Sequence, residues 1–372
     1  MEDFNEELKM NLPKPMKKYL IKLSLATGLS ISIFSLQPSA FSQGSLTPPG
    51  SPAPTMKSLD QIEARTPITN RSSLVTILQP GSYYLTHNLT VSSGDAIDIA
   101  TNGVTLDLNG FTISSTAASA SGNAILLNSS SPLNITIANG FIRGGVTNNG
   151  SGVYSGGGFG YGINYSSGAP ANVLVSRLAV SGCLYSGIYL TLGNSDVVDS
   201  CSVRTAGNYG IWATAVKQST AVDCGNAAVA GYTVSDSYGQ SINGEGIFAI
   251  NALNCSGTSS SSIGVYGNTA QNCYGQSVSS IGIDSYAAEN CWGECDGNGN
   301  YGIYTFTAAN CYGAVFNGFG TSGYGVYAVH TATGCDGWIN YGTGLYAFVA
   351  TGCHGGAANG TSVSATHSLN SF

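Results

Sequence analysis

Charge is the scarcest property of this sequence. Only 8% of its 372 residues are Asp, Glu, Lys or Arg. Four basic and thirteen acidic residues follow Arg71, so this part of the chain carries a net charge of −9. Because nucleic-acid binding depends on many Lys and Arg contacts to phosphates, the composition excludes a generic nucleic-acid-binding protein. It also disfavours tight binding of anionic polysaccharides, unless calcium bridges the charges.

Metal-binding motifs and helix-forming residues are also scarce. The ten cysteines include no CxxC pair and the four histidines are scattered, which disfavours a zinc site. Leu, Glu and Lys are few, whereas Gly, Asn, Ser, Tyr and Val abound, as is typical of strands and turns. No long apolar run follows residue 36, so no transmembrane helix is predicted after the N-terminal region.

The N-terminal region has the pattern of an export signal. A basic segment from Met16 precedes an apolar run from Leu23 to Leu36, and small residues then mark a cleavage site near Ser42. The pattern predicts an N-terminal extension and signal peptide within 1–42, with Met16 as an alternative start. The protein is therefore expected to be secreted, periplasmic or on the outer cell surface.

Two segments are predicted after the signal. Residues 43–72 contain a Pro-rich linker and, at Thr55–Arg65, a helical spacing of apolar residues. We expect this stretch to form a short helix that caps the open end of the following domain, and an unattached peptide is the alternative. Residues 73–372 are expected to form one β domain.

One twelve-residue pattern recurs through the second half of the chain. It reads GIYTFTAANCYG at Gly302–Gly313, with related copies at Gly246–Gly257, Gly264–Gly275 and Gly282–Gly293 and looser ones at Gly325–Gly337 and Gly344–Gly355. The copies begin 18 to 23 residues apart, which is too short for a two-helix repeat, and apolar residues alternate with period two. Each copy therefore predicts two short strands that must stack on the next copy to bury their apolar face. The expected fold is all-β, a parallel solenoid.

The residue before each repeat cysteine is either Asn or Gly. It is Asn254, Asn272, Asn290 and Asn310, then Gly334 and Gly352. Asn and Gly both accept a positive φ at low cost, so this position is predicted to be a left-handed corner between two strands. Stacked turns would then form an asparagine ladder, whereas independent polar or glycosylated loops are the alternative.

The repeat cysteines follow the same register: Cys255, Cys273, Cys291, Cys311, Cys335 and Cys353, with Cys201 and Cys224 expected to extend the column. Cysteine is a small, often buried residue, so an inward stack of thiols is predicted. Disulfides are the alternative in an exported chain. Neighbouring parallel strands lie about 4.8 Å apart, whereas a disulfide needs Cβ atoms about 3.8 Å apart, which disfavours pairing along the column. A local Cys291–Cys295 bridge stays open.

Two upstream segments resemble a known family. GVTLDLNGFTI at Gly103–Ile113 and NITIANGFIRG at Asn134–Gly144 resemble the opening turns of right-handed parallel β-helix proteins of the pectate-lyase-like superfamily. The resemblance implies a right-handed, single-stranded parallel β-helix over roughly Leu74 to Gly355, and the variable turn lengths favour this hand over a left-handed hexapeptide helix. The glycine-rich stretch Gly144–Pro170 is predicted to be a protruding loop or a lateral strand pair.

The same resemblance raises the possibility of catalysis. A polysaccharide lyase of this superfamily would need carboxylates that hold Ca²⁺ and an Arg or Lys base. The grouping with both elements is Asp196, Asp199 and Asp223 with Arg177 and Arg204. The alternative is that these are scattered, solvated turn residues. The adjacent aspartates, Gly-His-Gly and Arg-Ile-Lys of polygalacturonases are absent.

One segment resembles part of a calcium-binding loop. Asp296, Asn298 and Asn300 resemble the first half of such a loop, but the glycine at its sixth position and the closing glutamate are missing. No other cofactor is indicated, and Ca²⁺ is the one ion for which the sequence offers candidates.

Aromatic residues supply the best binding feature. They recur two residues after most repeat glycines, at Tyr189, Trp212, Phe248, Tyr266, Tyr304, Tyr327 and Tyr346, with Asp284 at the same position of one copy. If the preceding Ile or Val points inward, these side chains form an outward column. A shorter column, Tyr274, Trp292 and Tyr312, follows the cysteines. Exposed aromatics with few charges suit sugar rings, and packing between strands or against a partner is the alternative.

These patterns lead to two functional hypotheses. The first is an exported interaction protein that contacts extracellular polysaccharide without catalysis. The second is a carbohydrate-active enzyme, a lyase or a hydrolase, which would need carboxylates that converge in a groove.

Overall fold

The computed structural model describes residues 63–129, 133–165, 168–191, 193, 195–297, 301–316 and 323–372. The chain divides into two compact units, Met1–Lys57 and Ser58–Phe372, and every described residue belongs to the second. The predicted signal peptide lies outside the described residues, and so does the predicted capping helix up to Ile62.

The described residues form 32 strands and no helix. The strands of the first half are β1 (Thr66–Ile68), β2 (Val75–Ile77), β3 (Gly81–Leu85), β4 (Leu89–Val91), β5 (Ile97–Ile99), β6 (Val104–Asp107), β7 (Thr112–Ser115), β8 (Asn123–Leu127), β9 (Leu133–Arg143), β10 (Gly145–Asn148), β11 (Tyr154–Gly157), β12 (Tyr161–Asn164), β13 (Ala171–Cys183), β14 (Ile188–Tyr189), β15 (Val197–Asp199) and β16 (Ser202–Ala206).

The strands of the second half are β17 (Ile211–Trp212), β18 (Ala215–Lys217), β19 (Thr220–Cys224), β20 (Val229–Ser235), β21 (Tyr238–Ser241), β22 (Ile247–Leu253), β23 (Ser256–Ser259), β24 (Val265–Gln271), β25 (Tyr274–Ser277), β26 (Ile283–Glu289), β27 (Trp292–Cys295), β28 (Tyr301–Ala309), β29 (Tyr312–Val315), β30 (Gly323–Thr333), β31 (Asp336–Thr351) and β32 (His354–Leu369).

Thirty of these strands pair in parallel with the strand one turn away, so the chain winds as a β-solenoid of about 15 turns. This confirms the stacked, parallel repeat that the sequence predicts. The first strand, β1, pairs with β3. Residues of the solenoid therefore precede residue 73, the predicted start of the β domain. Within the glycine-rich stretch, β10 and β11 form an antiparallel hairpin, which is the lateral strand pair considered above.

Each turn of the repeat region contributes to three columns of strands. The first column, here called the aromatic sheet, includes β14, β17, β20, β22, β24, β26, β28 and β30. The second column contains β15, β18 and the later parts of β20, β22, β24, β26, β28 and β30. The third column contains β16, β19, β21, β23, β25, β27 and β29.

The corner between the second and third columns has left-handed backbone. Asn254, Asn272, Asn290 and Asn310 have φ values of 52–53°, and Gly334 and Gly352 have φ of 59°. The Asn272 Nδ2 donates to Asn254 Oδ1 at 3.1 Å, and Asn310 Nδ2 donates to Asn290 Oδ1 at 3.3 Å. The side-chain amides thus bond from turn to turn at a position whose backbone suits Asn and Gly.

The six repeat cysteines follow these corners, and each is at most 3% exposed. They are free thiols, and Cys201 belongs to the same column because it follows the equivalent corner residue Ser200. Cys224 does not: it pairs in register with Ala206 and Ser241, in the column that also contains Cys295. The expectation that Cys224 extends the repeat column is therefore wrong, because its turn places the cysteine at the far end of the third-column strand. No Cys291–Cys295 bridge forms, since Cys291 is a free thiol.

The solenoid is narrow where the aromatic sheet faces the third column. A Cβ added to Gly313 would overlap Gly325 O and lie 2.8 Å from Val326 Cγ2. A Cβ at Gly302 would overlap Ala314 N and lie 2.8 Å from Gly313 C. Two columns of backbone therefore touch directly, and the glycines at both ends of the repeat are needed for space rather than for a positive φ.

Candidate functional site

The predicted aromatic column lies on the outer face of the aromatic sheet. The repeat residue before each aromatic, such as Ile303 or Val326, is fully buried, so strand alternation turns the next side chain outward. In register, Phe248 lies opposite Tyr266, Tyr266 opposite Asp284, Asp284 opposite Tyr304, and Tyr304 opposite Tyr327. We call this column the tyrosine file.

Most rings of the tyrosine file stack face to face. Phe248 and Tyr266 have centroids 5.3 Å apart and an interplanar angle of 10°. Tyr304 and Tyr327 are 5.3 Å apart at 6°, and Tyr327 and Tyr346 are 4.7 Å apart at 12°. Because each stacked ring covers the face of the next, these stretches present ring edges to solvent. A sugar ring packs best on an aromatic face, so an unbroken stack offers a poor platform.

Tyr189 and Trp212 form a separate cluster. The Trp212 ring lies 5.5 Å from the Tyr189 ring and 4.2 Å from Tyr209, in both cases edge to face. Ala230 separates this cluster from Phe248, because it occupies the intervening turn. The two aromatics therefore pack mainly on each other and on Tyr209.

The tyrosine file is interrupted at Asp284. Tyr266 and Tyr304 flank this residue in the turns on either side. Two strand spacings place the backbones of Tyr266 and Tyr304 about 9.6 Å apart. Stacked rings elsewhere in the file are 4.7–5.3 Å apart, so the turn of Asp284 leaves a gap in the stack. We call this opening the Asp284 slot.

A second aromatic file borders the same opening. Tyr286 and Phe306 lie two residues beyond Asp284 and Tyr304 on the aromatic sheet, with centroids 4.8 Å apart and planes within 5°. Phe306 stacks on His330 at 5.4 Å, and His330 lies 6.0 Å from Phe348. The slot is a depression of about 320 Å³ lined by Tyr266, Asn268, Asp284, Tyr286, Tyr304 and Phe306, with Gly267, Ser285 and Val329.

Sequence reasoning missed this second file. Its signal is the residue four after each repeat glycine, which is aromatic at Tyr286, Phe306 and Phe348 but Asn268 in another copy. In the turn of β30 a register shift between Ala328 and Thr331 places His330 in the file instead of Val329. A pattern with a bulge and a polar member is hard to recognise without the structure.

The Asp284 carboxylate forms the floor of the slot. It is half-buried, and burial raises the pKa of Asp284 above its ordinary value. The aromatic walls and the carboxylate together can hold a flat ring and a hydrogen-bond donor or a cation.

The third-column aromatics lie on a different face. Tyr274 and Trp292 have centroids 6.2 Å apart, and Trp292 and Tyr312 are 5.2 Å apart, both edge to face. Trp292 is 50% exposed, and Tyr274 Oη donates to Glu294 Oε2 at 2.8 Å. These residues do not border the Asp284 slot.

Among the candidate catalytic residues, Asp196 is fully buried just before β15. Its carboxylate accepts hydrogen bonds from Val173 N at 3.3 Å and from Thr214 Oγ1 at 3.4 Å. The Asp196 carboxylate is therefore hydrogen-bonded to residues of the neighbouring turns and does not face a groove.

Of the other four candidates, three bond to residues outside the set and Arg204 is exposed. Asp199 pairs with Lys217, whose Nζ lies 3.7 Å from Asp199 Oδ2. Arg177 occupies a corner and donates from Nε to Asn139 Oδ1 at 2.6 Å.

Asp223 accepts hydrogen bonds from Asn148 of the hairpin at 2.6 Å and from Thr205 at 2.7 Å. Arg204 is exposed on β16. No ion pair joins any of the five to another in the part of the chain that the structure describes.

The calcium candidate is only partly described. Asp296 follows β27, and its backbone N–H donates to Ser277 O at 2.9 Å. Asn298 and Asn300 lie outside the described residues. Within residues 63–297 and the later described segments, with their gaps, no group of three His, Cys, Asp or Glu side chains is arranged to hold a metal ion.

Buried Asp196 makes a prediction about stability. Burial raises the pKa of Asp196 to about 6, whereas an unfolded aspartate titrates near about 3.9. The folded state therefore binds this proton more tightly, and its stability falls as pH rises between about 4 and 6, by on the order of 3 kcal/mol. We expect Asp196→Asn to remove this loss. The free energy of unfolding of the variant in urea, relative to that of the wild type, should therefore rise between about pH 4 and pH 7.

Asp199→Asn is the control for this comparison, because it makes the same charge change at a partly exposed position, at the end of the strand β15 that follows Asp196. An Asp196→Asn variant whose difference from the wild type is the same at both pH values would contradict the prediction.

Comparison with protein-family models, curated proteins and solved structures finds no match for this chain. Within the described residues, no helix is long and apolar enough to cross a membrane. A functional conclusion therefore depends on the surface of the solenoid itself, where the Asp284 slot brings aromatic side chains and a carboxylate together.

Proposed function

We propose that this protein is an exported, right-handed parallel β-helix that contacts extracellular polysaccharide through the aromatic sheet, without catalysis. The resemblance of Gly103–Ile113 and Asn134–Gly144 to the pectate-lyase-like superfamily supports the hand, and the signal peptide predicted within residues 1–42 supports export. The observation that carries the glycan proposal is the Asp284 slot, a depression lined by aromatic side chains and one carboxylate, with Tyr266 and Tyr304 in the turns on either side of Asp284.

Three features of the slot support sugar binding. The two flanking rings supply apolar faces for the C–H side of a pyranose. The bordering Asn268 and Asp284 supply polar groups for its hydroxyls. Tyr286 and Phe306 extend the apolar surface sideways, so neighbouring units of a chain find further contacts.

The placement of the five candidate catalytic residues favours binding over turnover. Asp196 is buried, Asp199 is paired with Lys217 and Asp223 is bonded to the hairpin. A lyase or hydrolase would need carboxylates that converge on one bound sugar. The carboxylate of the Asp284 slot has aromatic neighbours instead of a second acid.

Glycan-array screening followed by titration calorimetry tests the proposal. Tyr266→Ala or Tyr304→Ala removes one wall of the slot, so we expect affinity for the best glycan to fall about tenfold, or about 1.4 kcal/mol. Trp292→Ala is the matched control, because it removes an aromatic that is 50% exposed on another face. It is expected to leave the affinity within about twofold.

The same preparations are assayed for release of reducing ends. We expect none, with or without the Asp199→Ala substitution. Product release that Asp199→Ala abolishes would establish the enzyme alternative. Equal losses of affinity in the Tyr266, Tyr304 and Trp292 variants would show that the slot is not the binding site.

A further inference from the structure

The Asp284 carboxylate has no partner among the described residues. Neither a hydrogen-bond donor nor a cation of those residues contacts it, and burial alone raises the pKa of Asp284. Most other carboxylates after Lys217 do accept a hydrogen bond from a side chain: Asp223, Asp236, Glu245, Glu289, Glu294 and Asp336. Six of the eight acids after Lys217 are thus bonded to side chains, whereas Asp284 is not and lies among the aromatic side chains of the slot.

The described turns around the slot contain no Lys or Arg that could pair with this carboxylate. Residues 218–372 contain eight Asp and Glu but no Lys or Arg. Partial burial disfavours the charged form of the Asp284 carboxylate, and a cation that enters from solvent favours that form. The flanking ring faces of Tyr266 and Tyr304 add to the preference, since aromatic faces attract cations.

We infer that the unit bound in the Asp284 slot is a protonated amino sugar, whose ammonium pairs with Asp284 while its ring lies between Tyr266 and Tyr304. This inference rests on the proposed function and specifies its ligand. A neutral or N-acetylated sugar of the same shape fills the space but leaves the carboxylate unpaired. A free amine gains a charge-assisted hydrogen bond that is roughly twice as strong as a neutral one.

The experiment compares three β-1,4-linked tetrasaccharides of equal length, made of glucosamine, N-acetylglucosamine or glucose. It is done by calorimetry on the full chain, at a pH where the amine is protonated. We expect the glucosamine tetramer to bind at least tenfold tighter than the other two. Asp284→Asn is expected to bring its affinity down to theirs, with little change for the neutral tetramers.

Glu289→Gln is the control for charge. Glu289 lies on the same strand, β26, and its substitution makes the same change in net charge, but it is exposed on the second column. We expect it to keep the tenfold preference. An equal loss of preference in both variants would mean general attraction by an acidic surface and would overturn the inference.

The remaining outcomes separate this inference from the proposed function. If all three tetramers bind equally and Tyr304→Ala weakens each, the glycan site stands and the amino-sugar assignment fails. If none of them binds but the array finds another glycan whose affinity falls in Tyr304→Ala, the amino-sugar assignment is overturned and the glycan site stands. If the array also finds no glycan, the proposed function is overturned as well. If a lysine tetrapeptide binds as tightly as the glucosamine tetramer, the slot recognises charge without the ring, and the assignment to a sugar is wrong.

Discussion

Replacing Asp284 with tyrosine is expected to stabilise the solenoid and to abolish glycan binding together. The turns on either side carry Tyr266 and Tyr304 at the same position, so the backbone of this turn accommodates the larger ring. The new ring would stack on both neighbours, each contact worth about 0.5–1.5 kcal/mol, and the unpaired carboxylate would be gone. We expect the free energy of unfolding to rise by about 2 kcal/mol, while the ring fills the space meant for the ligand.

Asp284→Ala is the matched control for this variant. It removes the carboxylate but leaves the slot open between the two rings, so it gains no stacking energy and keeps room for a sugar. Chemical unfolding and calorimetry on both variants give the two readouts. An Asp284→Tyr variant that is more stable yet still binds the glycan would place the binding site elsewhere on the molecule.

Gly313→Ala is expected to destabilise the fold by about 3 kcal/mol, because one added methyl group overlaps backbone. The new Cβ would collide with Gly325 O and lie 2.8 Å from Gly325 C and Val326 Cγ2. Neither backbone can retreat, since the strands of Gly313 and Gly325 are each hydrogen-bonded to turns above and below. The free energy of unfolding in urea measures the loss.

Gly168→Ala provides the comparison for this variant. There the added methyl group meets, among the described residues, Tyr165 Oη alone within 4 Å, at 3.3 Å, so a change below about 0.5 kcal/mol is expected. Equal stability of the two variants would mean that the columns can separate and that the solenoid is less tightly closed than the structure indicates.

The winding of the chain could be predicted from the sequence because its causes are local. Period-two alternation, turns of about 18 residues and the Asn or Gly before each cysteine all follow from the backbone of a single turn. The position of Cys224 could not be predicted this way. Spacing alone does not tell whether an extra residue falls before or after a corner, and here it moved the cysteine to the other end of its strand.

The surface was predictable only in part. The tyrosine file follows from alternation beside buried Ile and Val, but its face-to-face stacking depends on side-chain rotamers that a sequence does not specify. Asp284 is aligned with the aromatics in the sequence, yet its importance as a gap appears only once Tyr266 and Tyr304 are stacked on their other sides. The grouping of Asp196 with Asp199 and Asp223 followed chain order, which does not reveal which face of a turn each residue occupies.

The buried thiols can report how often each turn of the solenoid separates from its neighbours. Cys255, Cys273, Cys291, Cys311, Cys335 and Cys353 lie one to a turn, each at most 3% exposed. An alkylating reagent can reach such a sulfur only when its own turn separates from its neighbours. Mass spectrometry of the modified peptides would therefore rank the six turns by their opening rates, without any introduced label.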